Sequence, residues 1–239
     1  MENELENIEV VILCGGLGTR LRSISADLPK ALMPLAGRPF IDILIESLLS
    51  FGFKRFILCV GHLREKIRDN FRNSNYDVIF SEEKEPLGTG GALKNASSAI
   101  QGSSFLVMNG DSICPVDFAE FYSFHKQKKA ILSLVLARPQ SGQDYGVIEL
   151  DDDQRIITFR EKKECSKTMF INGGIYFMQR DIFDYMPAAN RFSLEHDVFP
   201  EITSKGCYGF QADAEVVDIG TPERYLQALQ RLSLKDSSR

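Results

Sequence analysis

Short, nearly unbroken apolar runs alternate with longer stretches of helical periodicity, and few folds accommodate that rhythm. The runs are Val10–Cys14, Phe56–Val60, Val78–Phe80, Phe105–Met108 and Ile131–Ala137. Apolar character without alternation is what a strand covered on both faces requires. Between the runs, Phe40–Phe51 places Ile41, Leu44, Ile45, Leu48 and Leu49 at helical spacing. Leu63–Phe71, Gly91–Ile100 and Asp117–Gln127 read the same way. Strand and helix in alternation imply βαβ units, hence an α/β fold with a mixed, mainly parallel sheet flanked by helices.

After about residue 140 the rhythm changes. Tyr145–Leu150 and Ile156–Lys162 read as a hairpin around the acidic turn Asp151–Gln154, and Phe170–Met178 as a further strand. Arg180–Tyr185 and Ser193–Ile202 read as short helices, Tyr208–Ala212 and Glu215–Val217 as strands. Pro222–Leu232 reads as a closing helix with Thr221 as its N-cap. No repeat and no Pro/Ser-rich linker divides the chain. Residues 1–239 are therefore read as a single domain, with one half over about 8–140 and a less regular half over about 141–232. No hexapeptide periodicity is present, so no C-terminal parallel β-helix is expected.

Composition excludes several function classes. The formal net charge is −5, whereas a nucleic-acid binder carries a basic excess. The five cysteines, Cys14, Cys59, Cys114, Cys165 and Cys207, form no CxxC pair, so neither a zinc ribbon nor a disulfide framework is expected. The acidic start MENELENIE is the opposite of a secretory signal. The apolar runs are far shorter than the ~20 residues a membrane span needs. A cytoplasmic protein that inserts in no membrane is the expectation.

The strongest local signal directly follows the first apolar run: Leu13-Cys14-Gly15-Gly16-Leu17-Gly18-Thr19-Arg20-Leu21. Closely spaced glycines let backbone approach a ligand and aim N–H groups at it, which suits phosphate. Arg20 adds a cation able to bind phosphate through two N–H groups. The spacing is neither G-x-G-x-x-G nor the P-loop pattern, which counts against a nicotinamide-dependent oxidoreductase.

GGLGTRL followed by Leu28-Pro29-Lys30 resembles the signature of the sugar-1-phosphate nucleotidyltransferases. The segment Glu83-Lys84-Glu85-Pro86-Leu87-Gly88-Thr89-Gly90-Gly91-Ala92 is similar to that family's nucleotide-binding stretch. Asn109-Gly110-Asp111, Tyr145-Gly146, Glu161-Lys162, Ile171–Tyr176 and Asp218–Glu223 are similar to its metal and sugar segments. The resemblance runs from Val10 to about Leu229.

It implies a Rossmann-like, glycosyltransferase-A-like fold and transfer of a nucleotidyl group from an NTP to a sugar 1-phosphate, with pyrophosphate released. The earlier half would bind nucleotide and the later half sugar phosphate. Arg20, Lys30 and Lys162 are implied as catalytic. Leu13, Gly15, Gly16, Gly18, Thr19, Glu83, Glu85, Pro86, Gly88 and Thr89 are implied as nucleotide-binding. Tyr145, Gly146, Glu161, Lys162, Asn172, Gly173 and Glu195 are implied around the sugar phosphate. Asp111 and Asp218 would share Mg²⁺, although either alone reads better as a turn-capping aspartate. The family often has Pro-Lys-Pro where this chain has Pro29-Lys30-Ala31.

Guanine presents N1–H and N2–H₂ as adjacent donors that one carboxylate can accept together. Glu82, Glu83 and Glu85 stand just before Gly88, so GTP is favoured over UTP. The resemblance implies D-glycero-α-D-manno-heptose 1-phosphate as the sugar substrate, with mannose 1-phosphate and GTP, or N-acetylmuramic acid 1-phosphate and UTP, as the alternatives. A catalytically silent sensor of nucleotide-sugars is the reading from another class. The joint presence of Arg20, Lys30, Asp111, Lys162 and Asp218 weighs against it. The pattern indicates no oligomeric state.

Overall fold

The computed structural model describes residues 4–16, 18–21, 24, 25, 27–139, 147–160 and 170–236. Strand β1 (Glu9–Leu13) leads through the short pair β2 (Pro34–Leu35) and β3 (Arg38–Pro39) into helix α1 (Phe40–Phe51) and strand β4 (Arg55–Val60). Helix α2 (Arg64–Phe71), strand β5 (Asp77–Glu82), helix α3 (Gly88–Ala96) and strand β6 (Ser104–Asn109) follow. Then come β7 (Ser112–Ile113), α4 (Phe118–Lys128) and β8 (Leu132–Ala137). The later part supplies β9 (Val147–Leu150), β10 (Ile156–Arg160), β11 (Phe170–Gln179), α5 (Phe199–Gly206), β12 (Cys207–Gln211), β13 (Val217–Asp218) and α6 (Pro222–Asp236).

Nine of these strands form one mixed sheet. β5, β4, β1 and β6 lie side by side and parallel. β6 then meets β11 running the other way, and β11 in turn pairs with β8 and β9. β10 completes a hairpin with β9, and β12 lies parallel to β8. The expected α/β class, with a mainly parallel nucleus flanked by helices, is what forms.

The alternating faces of the buried strands feed two cores. Val10 and Ile12 of β1 point into one, with Leu44 and Ile45 of α1, Phe121 of α4 and Ala228 of α6. Val11 of the same strand points into the other, with Leu93 of α3 and Phe199 and Ile202 of α5. This two-sided burial is why β1, β4 and β6 are apolar throughout. Helix α1 stops where Gly52 adopts a left-handed φ of 100° and returns its N–H to the carbonyls of Leu48 and Leu49. Helix α4 starts at Asp117, whose carboxylate accepts from the N–H groups of Ala119 and Glu120.

Three expectations need correction. β5 is not buried on both faces: it is the sheet's edge, and Ile79 is 36% exposed. The helix expected over Gly91–Ile100 begins earlier, at Gly88, and gives way after Ala96 to a single 3₁₀ turn. Glycine is a poor helix former, so its periodicity gave no sign of the first turn. The stretch Ser193–Ile202 begins as a π turn over Leu194–Val198 before α5, a departure common at functional sites.

The described cysteines, Cys14, Cys59, Cys114 and Cys207, are all buried and free. Burial pushes the Cys114 thiol up to about 11 and the Cys207 thiol up to about 12. They stay protonated and act as small apolar side chains. Cys165 lies outside the described residues.

His125 is also fully buried, beside the Phe177 ring. The Gln179 amide N–H donates to Nε2, which leaves Nδ1–H to donate to the Ser133 hydroxyl 2.9 Å away. Burial lowers its pKa from 6.5 to about 4. The unfolded chain therefore takes up this proton at a higher pH than the folded one. Stability present above pH 6.5 is lost as the pH falls through 4, by up to about 3 kcal/mol. Urea midpoints measured from pH 7 to pH 4 should show a smaller acid decline in His125→Gln than in the wild type.

Candidate active site

A cavity of about 330 Å³ opens at the carboxyl ends of β1 and β6. Chain direction decides this position. From β1 the next parallel strands step outward through β4 to β5, after which the chain crosses back to place β6 on the other side of β1. Such a reversal leaves a crevice that side chains do not fill. Its walls include Leu13, Gly15 and Gly16 from the glycine loop, Lys30, Glu83, Pro86, Gly88, Thr89, Asn109, Asp111 and Arg191.

The glycine loop is shaped by hydrogen bonds from both neighbours. Cys14 N–H donates to the Cys59 carbonyl, and Gly110 N–H donates to the Leu13 carbonyl. A side chain at Gly110 would press on Leu13 and Cys14, so the turn after β6 seats directly on the loop. Gly16 has a φ of 116° with open space where a Cβ would be. Its glycine is required by backbone conformation, not by crowding. Arg20 follows on the single turn Thr19–Leu21; it is exposed and is not part of the cavity wall.

Lys30 reaches across to Asp111, with Nζ 3.2 Å from Oδ2. The two turns that bear Asp111 and Asp218 are tied together. β7 pairs with β13 in antiparallel register, Ser112 opposite Asp218, and Ile219 N–H donates to the Asp111 carbonyl. Asp218 is held by the Arg224 guanidinium at 2.9 Å and by the Gly220 N–H. Among the described residues, each acid is therefore paired with a cation. Hard carboxylate oxygens from two turns suit Mg²⁺, which takes one or two carboxylates and completes its shell with water and substrate phosphate.

Of the three glutamates before Gly88, only Glu83 lies in this wall. Glu82 is drawn off to Arg64 and Arg68, and Glu85 is exposed beside a neighbouring cavity. Glu83 is 6% exposed. Its Oε2 accepts from Leu87 N–H at 3.0 Å, and Oε1 lies where a Gly15 side chain would be. Burial raises its pKa, and the Leu87 amide offsets part of that rise.

The later candidates that the structure describes are joined by hydrogen bonds and close strand packing. Asn172 turns inward: Oδ1 accepts from Gly174 N–H, and Nδ2 donates to the Tyr176 hydroxyl. A side chain at Gly173 would run into the Val135 carbonyl of β8, so strand packing already requires glycine there. Tyr176 donates to Glu195, whose other oxygen accepts from the Thr89 and Ser193 hydroxyls at 2.8 Å each. Glu195 thus sits behind Thr89, one residue deep from the cavity wall. Tyr145, Gly146, Glu161 and Lys162 lie outside the described residues.

Residues 9–234 match the family model for nucleotidyl transferases. The chain belongs to that family. A D-glycero-alpha-D-manno-heptose 1-phosphate guanylyltransferase from Aneurinibacillus thermoaerophilus is 36% identical over 228 residues, spanning 94% of this chain and 98% of that one. Its namesake from Campylobacter jejuni is 34% identical, over 93% and 99%. The crystal structure of HddC from Yersinia pseudotuberculosis superposes with a TM-score of 0.81 at 36% identity, over 94% of this chain and 99% of that one. The same protein has also been solved complexed with GMP-PN. This nucleotidyltransferase therefore shares sequence with the two named guanylyltransferases, and fold with HddC, across nearly its whole length.

One charged residue of the cavity wall, Arg191, is not among the candidates that the sequence offers. Arg191 follows Asn190 and precedes Phe192, and these two clamp the first turn of α3. Gly90 and Gly91 N–H both donate to the Phe192 carbonyl, and Phe192 N–H donates to the Leu87 carbonyl. Side chains at Gly88 or Gly90 would strike Phe192, and one at Gly91 would strike the Asn190 carbonyl. The glycines therefore serve close docking of the 190–192 segment as well as the ligand. Gly91→Val should destabilise the protein by about 1–3 kcal/mol through overpacking, and weaken nucleotide binding as Arg191 shifts. Thermal melts with and without GTP test this, and a ligand-free melting temperature equal to wild type would refute the clamp.

Proposed function

We propose that this chain transfers a guanylyl group from GTP to a sugar 1-phosphate, D-glycero-α-D-manno-heptose 1-phosphate, giving the GDP-sugar and pyrophosphate. The observation that carries the reading is the buried Glu83 carboxylate in the same cavity as Lys30 and Asp111. One end accepts the guanine donors; the other meets phosphate. The guanylyltransferase names of the relatives support the same base and supply the sugar.

In the reaction a sugar phosphate oxygen attacks the α-phosphorus as the bond to the departing pyrophosphate breaks. Such transfers rest on positioning and charge neutralisation more than on covalent help. Backbone N–H groups of the glycine loop and the cations Arg20, Lys30 and Arg191 offset the triphosphate's charge. Asp111 and Asp218 hold Mg²⁺, which when bound neutralises charge developing at the α-phosphate. Lys162 holds the sugar phosphate, with Tyr145, Gly146, Glu161, Asn172, Gly173 and Glu195 around the sugar.

Residues 1–239 act as a single domain, about 8–140 serving the nucleotide and about 141–232 the sugar phosphate. Cytoplasmic GTP is the expected supply. No helix among the described residues is long and apolar enough to cross a membrane. Pyrophosphate release with Mg²⁺, over four NTPs and a panel of sugar 1-phosphates, tests the reading. Turnover with GTP and the heptose 1-phosphate supports it. Turnover with mannose 1-phosphate, or with UTP and N-acetylmuramic acid 1-phosphate, replaces the substrate and keeps the chemistry. Binding without turnover would favour the silent sensor.

A further inference from the structure

A second cavity, about 200 Å³, shares Gly16, Glu83 and Pro86 with the first and continues past them to Gly61, His62, Arg64, Lys84 and Glu85. It lies over the carboxyl ends of β4 and β5, one strand further out than the triphosphate cleft. Neither glycine at the passage obstructs it: a Cβ on Gly16 would meet nothing within 4 Å, and one on Gly61 would make only ordinary contact with Glu83.

Arg64 is a donor held in that wall by its own contacts. Its Nη1 donates to the Glu83 carbonyl at 3.2 Å, while Nε stands 3.5 Å from Glu65 and 3.6 Å from Glu82. Those two acids orient the guanidinium without taking all five of its N–H groups. The guanidinium is therefore anchored on the backbone of the residue whose carboxylate faces the first cavity. Guanine's polar edge runs N2, N1, O6, N7: two donor positions followed by two acceptors. A carboxylate followed by a guanidinium is its complement in the same order, and arginine on O6 and N7 is the commonest specific contact to guanine.

We propose that Arg64 is a specificity-determining residue that reads guanine O6 and N7 beside Glu83. The proposal rests on the reading of the chain as a GTP-dependent transferase. Adenine would set its N6 amino group against the Arg64 donors. A pyrimidine, lacking N7, would leave at least one of them unpaired.

Three nucleotides separate the two contacts. Inosine triphosphate lacks N2–H₂ and reports on Glu83. 7-Deaza-GTP lacks N7 and reports on Arg64. Wild-type protein should favour GTP over 7-deaza-GTP about tenfold in kcat/KM, from one bond of a bidentate pair. Arg64→Met should remove that preference while keeping the preference for GTP over inosine triphosphate. Arg64→Lys keeps the charge and donors that can still reach O6 and N7, and should retain part of that preference. Wild-type protein that uses 7-deaza-GTP as well as GTP, yet still discriminates against inosine triphosphate, overturns the Arg64 assignment alone. Failure to use GTP in preference to other NTPs overturns the guanylyl reading beneath it.

Discussion

Asp111→Asn should lower kcat/KM by roughly a hundredfold to a thousandfold, the loss typical of a preorganised electrostatic contact, and leave the fold intact. The Asp111 side chain is 34% exposed and its Lys30 partner 22%. An ion pair that open to water contributes at most about 1 kcal/mol to stability. The structural duty of this residue is carried by its main chain, since its carbonyl accepts from Ile219 N–H, and asparagine preserves that bond. What the substitution removes is charge. An amide is a weaker Mg²⁺ donor, and Lys30 is left without its anion. Initial rates titrated with Mg²⁺ check the assignment: the half-saturating concentration should rise while the melting temperature holds. A magnesium titration unchanged from wild type would remove Asp111 from the metal site.

Glu83→Gln should cut kcat/KM for GTP by about a hundredfold and leave UTP use little changed. Gln can still accept from Leu87 N–H through its one carbonyl oxygen. Its amide then sets N–H donors against the guanine N1–H and N2–H₂. Each buried donor left unpaired costs about 1–3 kcal/mol, and two are at stake. The acid limb carries a second signature. Burial raises the Glu83 pKa, so the carboxylate that accepts these donors is lost, as pH falls, above the range of an exposed glutamate. The pH profile of kcat/KM for GTP should therefore decline early on its acid side, and that limb should be missing in Glu83→Gln. An equal loss for GTP and UTP would show that Glu83 supports the cavity without reading the base.

How far the sequence reached differs between strands and loops. β1, β4, β6 and β8 were legible because burial on both faces forces continuous apolar runs, and α1 because burial on one face forces the 3.6-residue spacing. β5 reads as buried on both faces because three apolar residues in a row look the same at an edge as in the middle. Asn172 and Gly173 were singled out as an interruption of a strand. What crowds Gly173 is the Val135 carbonyl, a contact between residues 38 apart that no local pattern encodes.

The sequence by itself determined the alternation of strand and helix, the glycine loop after β1, the acids at two turns, and the family whose motifs they match. Those are local properties, each carried by a few consecutive residues. Only the tertiary structure decided which of three neighbouring glutamates faces the cleft, because strand pairing and ion pairs with Arg64 and Arg68 draw Glu82 aside. Only it brought Arg191 into the same cavity wall as Lys30, because the 190–192 segment docks on glycines about a hundred residues away in the chain. Close approach needs the absence of a side chain on one partner and a carbonyl on the other, and a one-dimensional pattern records the first without naming the second.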